Sequence, residues 1–175
     1  MEMLGVPGLL IRPAVGEEKA DASLPPPELV KALASAKARE AAAEAAEGDV
    51  VIAADTIVVY GGRVYGKPHS PAEAADMLRT LSGRTHEVYT GVCVIRSGVE
   101  LCRADRSAVT FRALSEGEIE RYIASGEPLD KAGAYGAQGR GALFVERIDG
   151  DFFNVMGLPL CMLGEMLKEQ GVELL

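Results

Sequence analysis

Asp55 stands inside an apolar, β-branched run, with Val50-Val51-Ile52-Ala53-Ala54 before it and Thr56-Ile57-Val58-Val59-Tyr60 after it. An acid in such a run cannot face a dry core without a partner. Either it caps or pairs locally, or it sits in a cleft and does chemistry. Lys67 follows twelve residues on, across a Gly61-Gly62 turn, where a cation can return to the same cleft. Lys37 and Lys131 add two cations on other elements. One acid with several lysines is what hydrolysis of a phosphoanhydride requires. The acid binds a divalent metal or activates water, and the cations offset charge building on phosphate oxygens. Spacing alone does not bring the four together, and each has a plainer reading. Lys67 before Pro68 reads as a solvated loop charge, Lys37 as part of a solvated helix face, and Asp130 with Lys131 as an exposed pair in a Gly-rich turn. Glu17 and Glu18 sit in an acidic loop and mean little alone. His69 and His86 are isolated and receive no ligand role.

Gly61 to Lys67 satisfies the first seven positions of the phosphate-binding pattern GxxxxGK followed by Ser or Thr. Pro68 occupies the eighth. Proline offers no hydroxyl for magnesium and no N–H for a helix start, so the P-loop reading fails. The second unusual stretch is 130–141. Its glycines let backbone approach a ligand, and loops this long in compact domains are often functional.

The chain of 175 residues suits one domain with a full core. Hydrophobic content of 48% and charged content of 25% are those of a soluble globular protein. Eighteen Lys plus Arg against 26 Asp plus Glu leave a net charge of −8, which argues against a nucleic-acid or anionic-membrane surface. No apolar run approaches the roughly 20 residues of a membrane span, and the N-terminus lacks a convincing signal peptide. Cys93, Cys102 and Cys161 are widely spaced, with no CxxC pair or Cys/His cluster. Zinc is therefore not expected, and a reducing cytoplasm is the default.

The elements that must position these residues alternate between helix and strand, so the class is α/β with some antiparallel hairpin pairing. Residues 1–5 resemble the tail of a helix, 9–12 a short strand and 15–23 a loop. Glu28 to Glu47 reads as a helix, with Leu29, Leu33 and Ala36 in register. Two strands follow, over 50–60 and 63–65. Ser70-Pro71 starts a helix that runs to Leu81. Alternation predicts a strand over 87–96 and one or two more over 99–111. Ser115 to Glu118 is a capping box for a helix ending near Gly126. The last elements are a strand over 143–148, a strand or its edge over 152–156, and a helix over 160–170.

The residues singled out above lie in segments that resemble the Maf-type nucleoside triphosphate pyrophosphatases. The matching segments are Leu4-Gly5-Val6, Lys37-Ala38-Arg39, Ala54-Asp55-Thr56-Ile57-Val58-Val59, Gly66-Lys67-Pro68, residues 77–86, Leu129-Asp130-Lys131-Ala132-Gly133-Ala134-Tyr135, Gln138-Gly139 and Asn154-Val155-Met156-Gly157-Leu158-Pro159. They occur in the family's order and spacing over nearly the whole chain. The resemblance implies an elongated α/β fold similar to inosine triphosphatases, a twisted mixed sheet flanked by helices with a cleft between two lobes. It implies a cytoplasmic house-cleaning enzyme that needs a divalent cation, Mg or Mn. Such enzymes split a nucleoside triphosphate between its α and β phosphates. No nucleic-acid or membrane partner is implied, and a homodimer is compatible with it.

Carried over by position, Asp55 holds metal and activates water, and Glu17 falls at the second acidic position. Lys37, Lys67 and Lys131 face the phosphates. Thr56 and Gln138 match the branch that prefers dTTP and UTP, whereas the branch acting on 7-methyl-GTP differs at both. One segment departs. The family opens with a strand and Ser-x-Ser-Pro-Arg-Arg, and Met1 to Val6 corresponds to the end of the helix behind it. The expectation is one Maf-like domain over 1–175, truncated at its N-terminus relative to the family. A start assigned too far downstream is the preferred explanation, because the downstream site residues are intact. The alternative functions are a catalytically impaired nucleotide-binding protein linked to septum formation or cell-division arrest, and the same chemistry on a modified nucleotide.

Overall fold

The computed structural model describes residue 6, residues 8–12, residue 21 and residues 23–174. The expected helix tail over 1–5 and most of the acidic loop, Glu17 included, lie outside the described residues. Five strands form one sheet in the order β2-β1-β3-β4-β5, where β1 is Val50–Tyr60, β2 Arg63–Tyr65, β3 Thr85–Arg96, β4 Val99–Phe111 and β5 Val145–Asp149. All four pairings are antiparallel. The α/β class holds, but the expected mixed sheet is antiparallel throughout the described residues. Two-residue turns are the reason on one side. Ser97 and Gly98 both adopt positive φ, 48° and 79°, the twist that lets β3 fold straight back as β4.

Helix α1, Pro26–Ala42, lies across β1, β3 and β4. Its buried residues Leu29, Val30, Ala34 and Ala38 follow helical spacing. The predicted extension to Glu47 does not form. Residues 43–47 are largely exposed and offer no apolar face to pack, so propensity alone does not sustain another turn. Gly91 on β3 lets the helix settle onto the sheet. A Cβ there would run into the carbonyl of Val30.

The opposite sheet face carries α5, Leu160–Glu169, whose Leu163, Met166 and Leu167 pack on Val92 and Val94. Alternation along β3 thus sends Cys93 to α1 and its neighbours to α5. Helices α2, Pro71–Leu81, and α3, Glu116–Ala124, close a second core around Leu78, Leu81, Phe111 and Ile119. Ser70 accepts the Glu73 N–H at 3.1 Å, and the Ser115 N–H donates to Glu118 at 2.9 Å, as their sequence signatures require.

Three further expectations change. Residues 9–12 form no strand and are exposed. Residues 152–156 do not extend the sheet: Phe152–Val155 is a short helix, α4. Asp151 caps it by accepting the Phe153 N–H at 2.8 Å, and the fully buried Asn154 pins it by donating to Val88 O and Ser107 Oγ at 3.1 and 2.9 Å. The third concerns the cysteines. Cys93 and Cys102 are direct partners across β3 and β4 and form a disulfide, while Cys161 is free and exposed. Their register was invisible in a spacing of nine residues. No helix among the described residues is long and apolar enough to cross a membrane.

Candidate active site

The site begins at an incomplete strand pairing. Strand β3 pairs with Val50 through Val59 of β1, but β2 covers only Val58, Val59 and Tyr60. Among the described residues, β1 therefore has a neighbour on one side alone at Asp55 and Thr56. This explains why a run so apolar stays half-buried from Val50 to Thr56. A cleft of about 300 Å3 opens there, at the lower end of the range for pockets that hold small ligands. Asp55, Thr56, Lys67, Asp130, Lys131 and Gln138 all line it.

Five of the six sequence-predicted site residues that fall in the described part come together directly. The remaining one, Lys37, joins through an ion pair: its Nζ donates to Asp55 Oδ1 at 3.1 Å. The pair is partly buried, with side chains 23% and 21% exposed, so it is neither a surface contact nor fully desolvated. The Thr56 N–H also donates to Asp55 Oδ1, at 3.0 Å. The acid thus has the local partner its apolar setting demanded, and it still reaches the cleft. A local partner and a place in a cleft, set against each other in the sequence, occur together. Glu17 lies outside the described residues.

Lys67 and Lys131 are brought together by backbone. The Gly133 N–H donates to Gly66 O at 3.0 Å, tying the loop after α3 to the end of β2. Gly133 has φ +67° and sits so close to Val58 that a Cβ would lie 2.8 Å from its Cγ2. No other residue combines that conformation with that approach. Lys131 is held by Asp130 through two bonds of 2.8 Å. That contact with Lys131, aided by Lys67, keeps the Asp130 carboxyl below its ordinary value.

Sequence reasoning missed the group that shapes the Gly-rich stretch. Glu127 accepts the Arg140 N–H at 3.0 Å, the Gly141 N–H at 3.1 Å and the Tyr122 hydroxyl at 3.0 Å. Tyr122 in turn accepts the Gly136 N–H at 3.1 Å. The loop carrying Gln138 is wrapped around this carboxylate. Burial pushes the Glu127 carboxyl up, but the three donors outweigh it and hold it below its ordinary value. Gly126-Glu127-Pro128 carries no spacing signal that would have found it. Thr90 and Asn154 were likewise unassigned. They lie fully buried beneath Thr56, which sits 2.8 Å from Thr90 Oγ1.

The donor set in the cleft fits a hard divalent cation. Asp55 presents a carboxylate there, while both Asp130 oxygens are bonded to Lys131, and Mg2+ is held by one or two carboxylates, with waters and substrate phosphates completing the shell. The one tight three-residue group of ligating side chains among the described residues, Cys93, Glu100 and Cys102, lies away from this cleft and has both sulfurs in the disulfide.

The chain matches the family described as Maf-like protein over residues 1–170. The dTTP/UTP pyrophosphatase of Moorella thermoacetica is 55% identical over 172 residues, which cover 97% of this chain and 88% of that protein. The proteins of the same name from Bacillus cereus and Bacillus anthracis are each 47% identical over 173 residues, covering 99% of this chain and 90% of theirs. Acid, lysines and glutamine thus meet in one cleft of a fold whose sequence aligns almost end to end with these proteins, and the chain belongs to the Maf-like family.

Proposed function

We propose that the chain is a nucleoside triphosphate pyrophosphatase that hydrolyses the α–β phosphoanhydride of dTTP and UTP to the monophosphate and diphosphate. The observation that carries this reading is the half-buried carboxylate of Asp55, paired with Lys37, in a cleft that Lys67 and Lys131 also line. The names of the relatives supply the reaction and the base.

Asp55 accepts the proton of the attacking water as the bond to phosphorus forms. Lys37 and the Thr56 N–H fix its carboxylate in one orientation, so little reorganisation is needed. Lys67 and Lys131 offset charge that accumulates on the phosphate oxygens and on the departing diphosphate. Asp55, with Glu17 by resemblance, would hold a magnesium or manganese ion, which would supply Lewis-acid stabilisation of the phosphates. The Gln138 amide offers one donor and one acceptor to the carbonyl and N–H edge of uracil or thymine.

The test is release of diphosphate and monophosphate from UTP. Asp55→Asn keeps the shape and removes the proton acceptor, and kcat falls at least about a hundredfold. Near-normal turnover in this variant, or equal turnover after chelation of divalent metal, removes the proposed roles. Gln138→Ala lowers kcat/KM for UTP and dTTP more than for GTP. An unchanged ranking across UTP, dTTP, CTP and GTP places base reading elsewhere.

A further inference from the structure

Below Thr56 lies a short chain of oxygens whose proton positions follow from chemistry. Thr90 Oγ1 is 2.8 Å from the backbone oxygen of Asn154. Thr56 Oγ1 is 2.8 Å from Thr90 Oγ1. Two oxygens at that distance require a proton between them, since otherwise lone pairs face each other. A carbonyl has no proton to give, so the hydroxyl proton of Thr90 points to Asn154. Thr90 has no second proton, so the one between the two threonines comes from Thr56.

Thr56 has then spent its only proton inward. Toward the cleft its oxygen offers lone pairs and nothing else. Thr90 and Asn154 are fully buried, so water does not re-sort these bonds. Asn154 is further anchored through Val88 O and Ser107 Oγ, and its carbonyl also accepts the Gly157 N–H at 2.9 Å. Gly157 lines the cleft beside Thr56, and even a methyl there would lie 3.2 Å from Thr56 Oγ1.

We propose that Thr90 is a positioning residue that holds Thr56 as a pure hydrogen-bond acceptor and thereby selects pyrimidine triphosphates carrying a ring N3–H. This rests on the pyrimidine triphosphate reading of the cleft. Uracil and thymine place an N–H at position 3, which Thr56 accepts in a shared bond beside the Gln138 amide oxygen. Cytosine places a lone pair there, which meets the lone pair of Thr56. Gln138 cannot make this choice alone. Its amide turns over to present either group, and so adapts to both bases. A fixed acceptor is what converts a pyrimidine cleft into one for UTP and dTTP.

The experiment compares kcat/KM for UTP, CTP and 3-methyl-UTP in wild type, Thr90→Val and Thr90→Ser. Wild type prefers UTP over CTP and over 3-methyl-UTP by tenfold or more each, the scale of a polar group left unpaired. In Thr90→Val the shape is kept and the proton sink is gone. Thr56 is free to turn and donate, so the UTP to CTP ratio falls by about tenfold, mostly through KM. Thr90→Ser restores the ratio. A thermal melt accompanies each variant, because a structural role would lower the melting temperature and leave the ratio unmoved. If Thr90→Val does not fold, 3-methyl-UTP with wild type still decides: turnover equal to UTP overturns the proposal. An unchanged UTP to CTP ratio in an active Thr90→Val protein overturns it too. Hydrolysis of CTP and UTP alike by wild type sinks this inference but leaves the pyrophosphatase reading standing. No hydrolysis of any nucleoside triphosphate sinks both.

Discussion

At the scale of single residues, the candidate site depends on groups that hold other groups. Lys37 and a backbone N–H hold Asp55, and Glu127 holds the loop that carries Gln138. Glu127 is therefore expected to matter although it is not among the cleft-lining residues. Glu127→Gln keeps the size but replaces one carboxylate oxygen with a donor, which then faces a backbone N–H. Losing a charge-assisted bond of about 1.5–3 kcal/mol loosens the loop. We expect kcat/KM for UTP to fall about tenfold, with most of the change in KM. Steady-state kinetics and a melt on the same protein check it. A lower melting temperature with unaltered KM would make Glu127 a structural residue only. Sequence could not nominate it, since the backbone N–H groups it serves carry no side-chain signature.

At the scale of elements, α1 and the sheet form the rigid frame behind Asp55. The small residues Ala34, Ala38 and Gly91 let helix and sheet approach closely, so Lys37 reaches across to β1. Gly91→Ala tests that approach. Its Cβ meets the backbone of Val30, and backbone cannot rotate away as a side chain can. Overpacking of this kind costs about 1–3 kcal/mol. Because the displaced helix carries Lys37, kcat should drop along with stability. Denaturant unfolding and the UTP assay check both; a stable, fully active Gly91→Ala protein would show that the helix can shift without disturbing the pair. Helix and strand identities were readable here from periodicity and caps. Two expectations failed: residues 9–12 form no strand, and α4 is not a strand either. Four residues are too few to show a period, and a buried asparagine decides the path of α4.

At the scale of the whole molecule, acid stability has a specific source. His86 is 1% exposed, packed edge-on against Phe111 and bonded through Nε2 to the Tyr135 hydroxyl at 2.8 Å. Burial pushes its imidazole from 6.5 down to about 4. Between those values the unfolded chain binds a proton that the folded chain refuses. Stability therefore falls as pH drops from about 6.5 to about 4, by up to about 3 kcal/mol, and His86 contributes nothing further below that. Glu118 acts lower. Bonding to Arg112 and Ser115 holds its carboxyl at about 2, so its contribution is intact above the ordinary carboxylate range and fades as pH falls toward 2. His86→Gln removes the first window, and its urea midpoint should change less between pH 7 and pH 4.5 than that of wild type. An equal slope in the two proteins would assign acid sensitivity to other groups.

What the sequence determined by itself was a demand on Asp55. An acid stranded in a β-branched run must find a partner or a cleft, and the energetic demand of a buried charge does not depend on knowing the fold. The three lysines were named by residue type, and Thr56 and Gln138 only through resemblance to the family. Convergence was decided only in three dimensions, because it hangs on long-range backbone contacts such as Gly133 to Gly66 and on the short reach of β2 along β1. The disulfide was equally hidden. Its two cysteines are neighbours only because Ser97 and Gly98 set the register of the β3–β4 hairpin, and a slip of one residue would have sent them to opposite faces. The direction of the Thr56 hydroxyl belongs to the same class. It is fixed by where a single proton on Thr90 must point, and only the position of the Asn154 carbonyl reveals that.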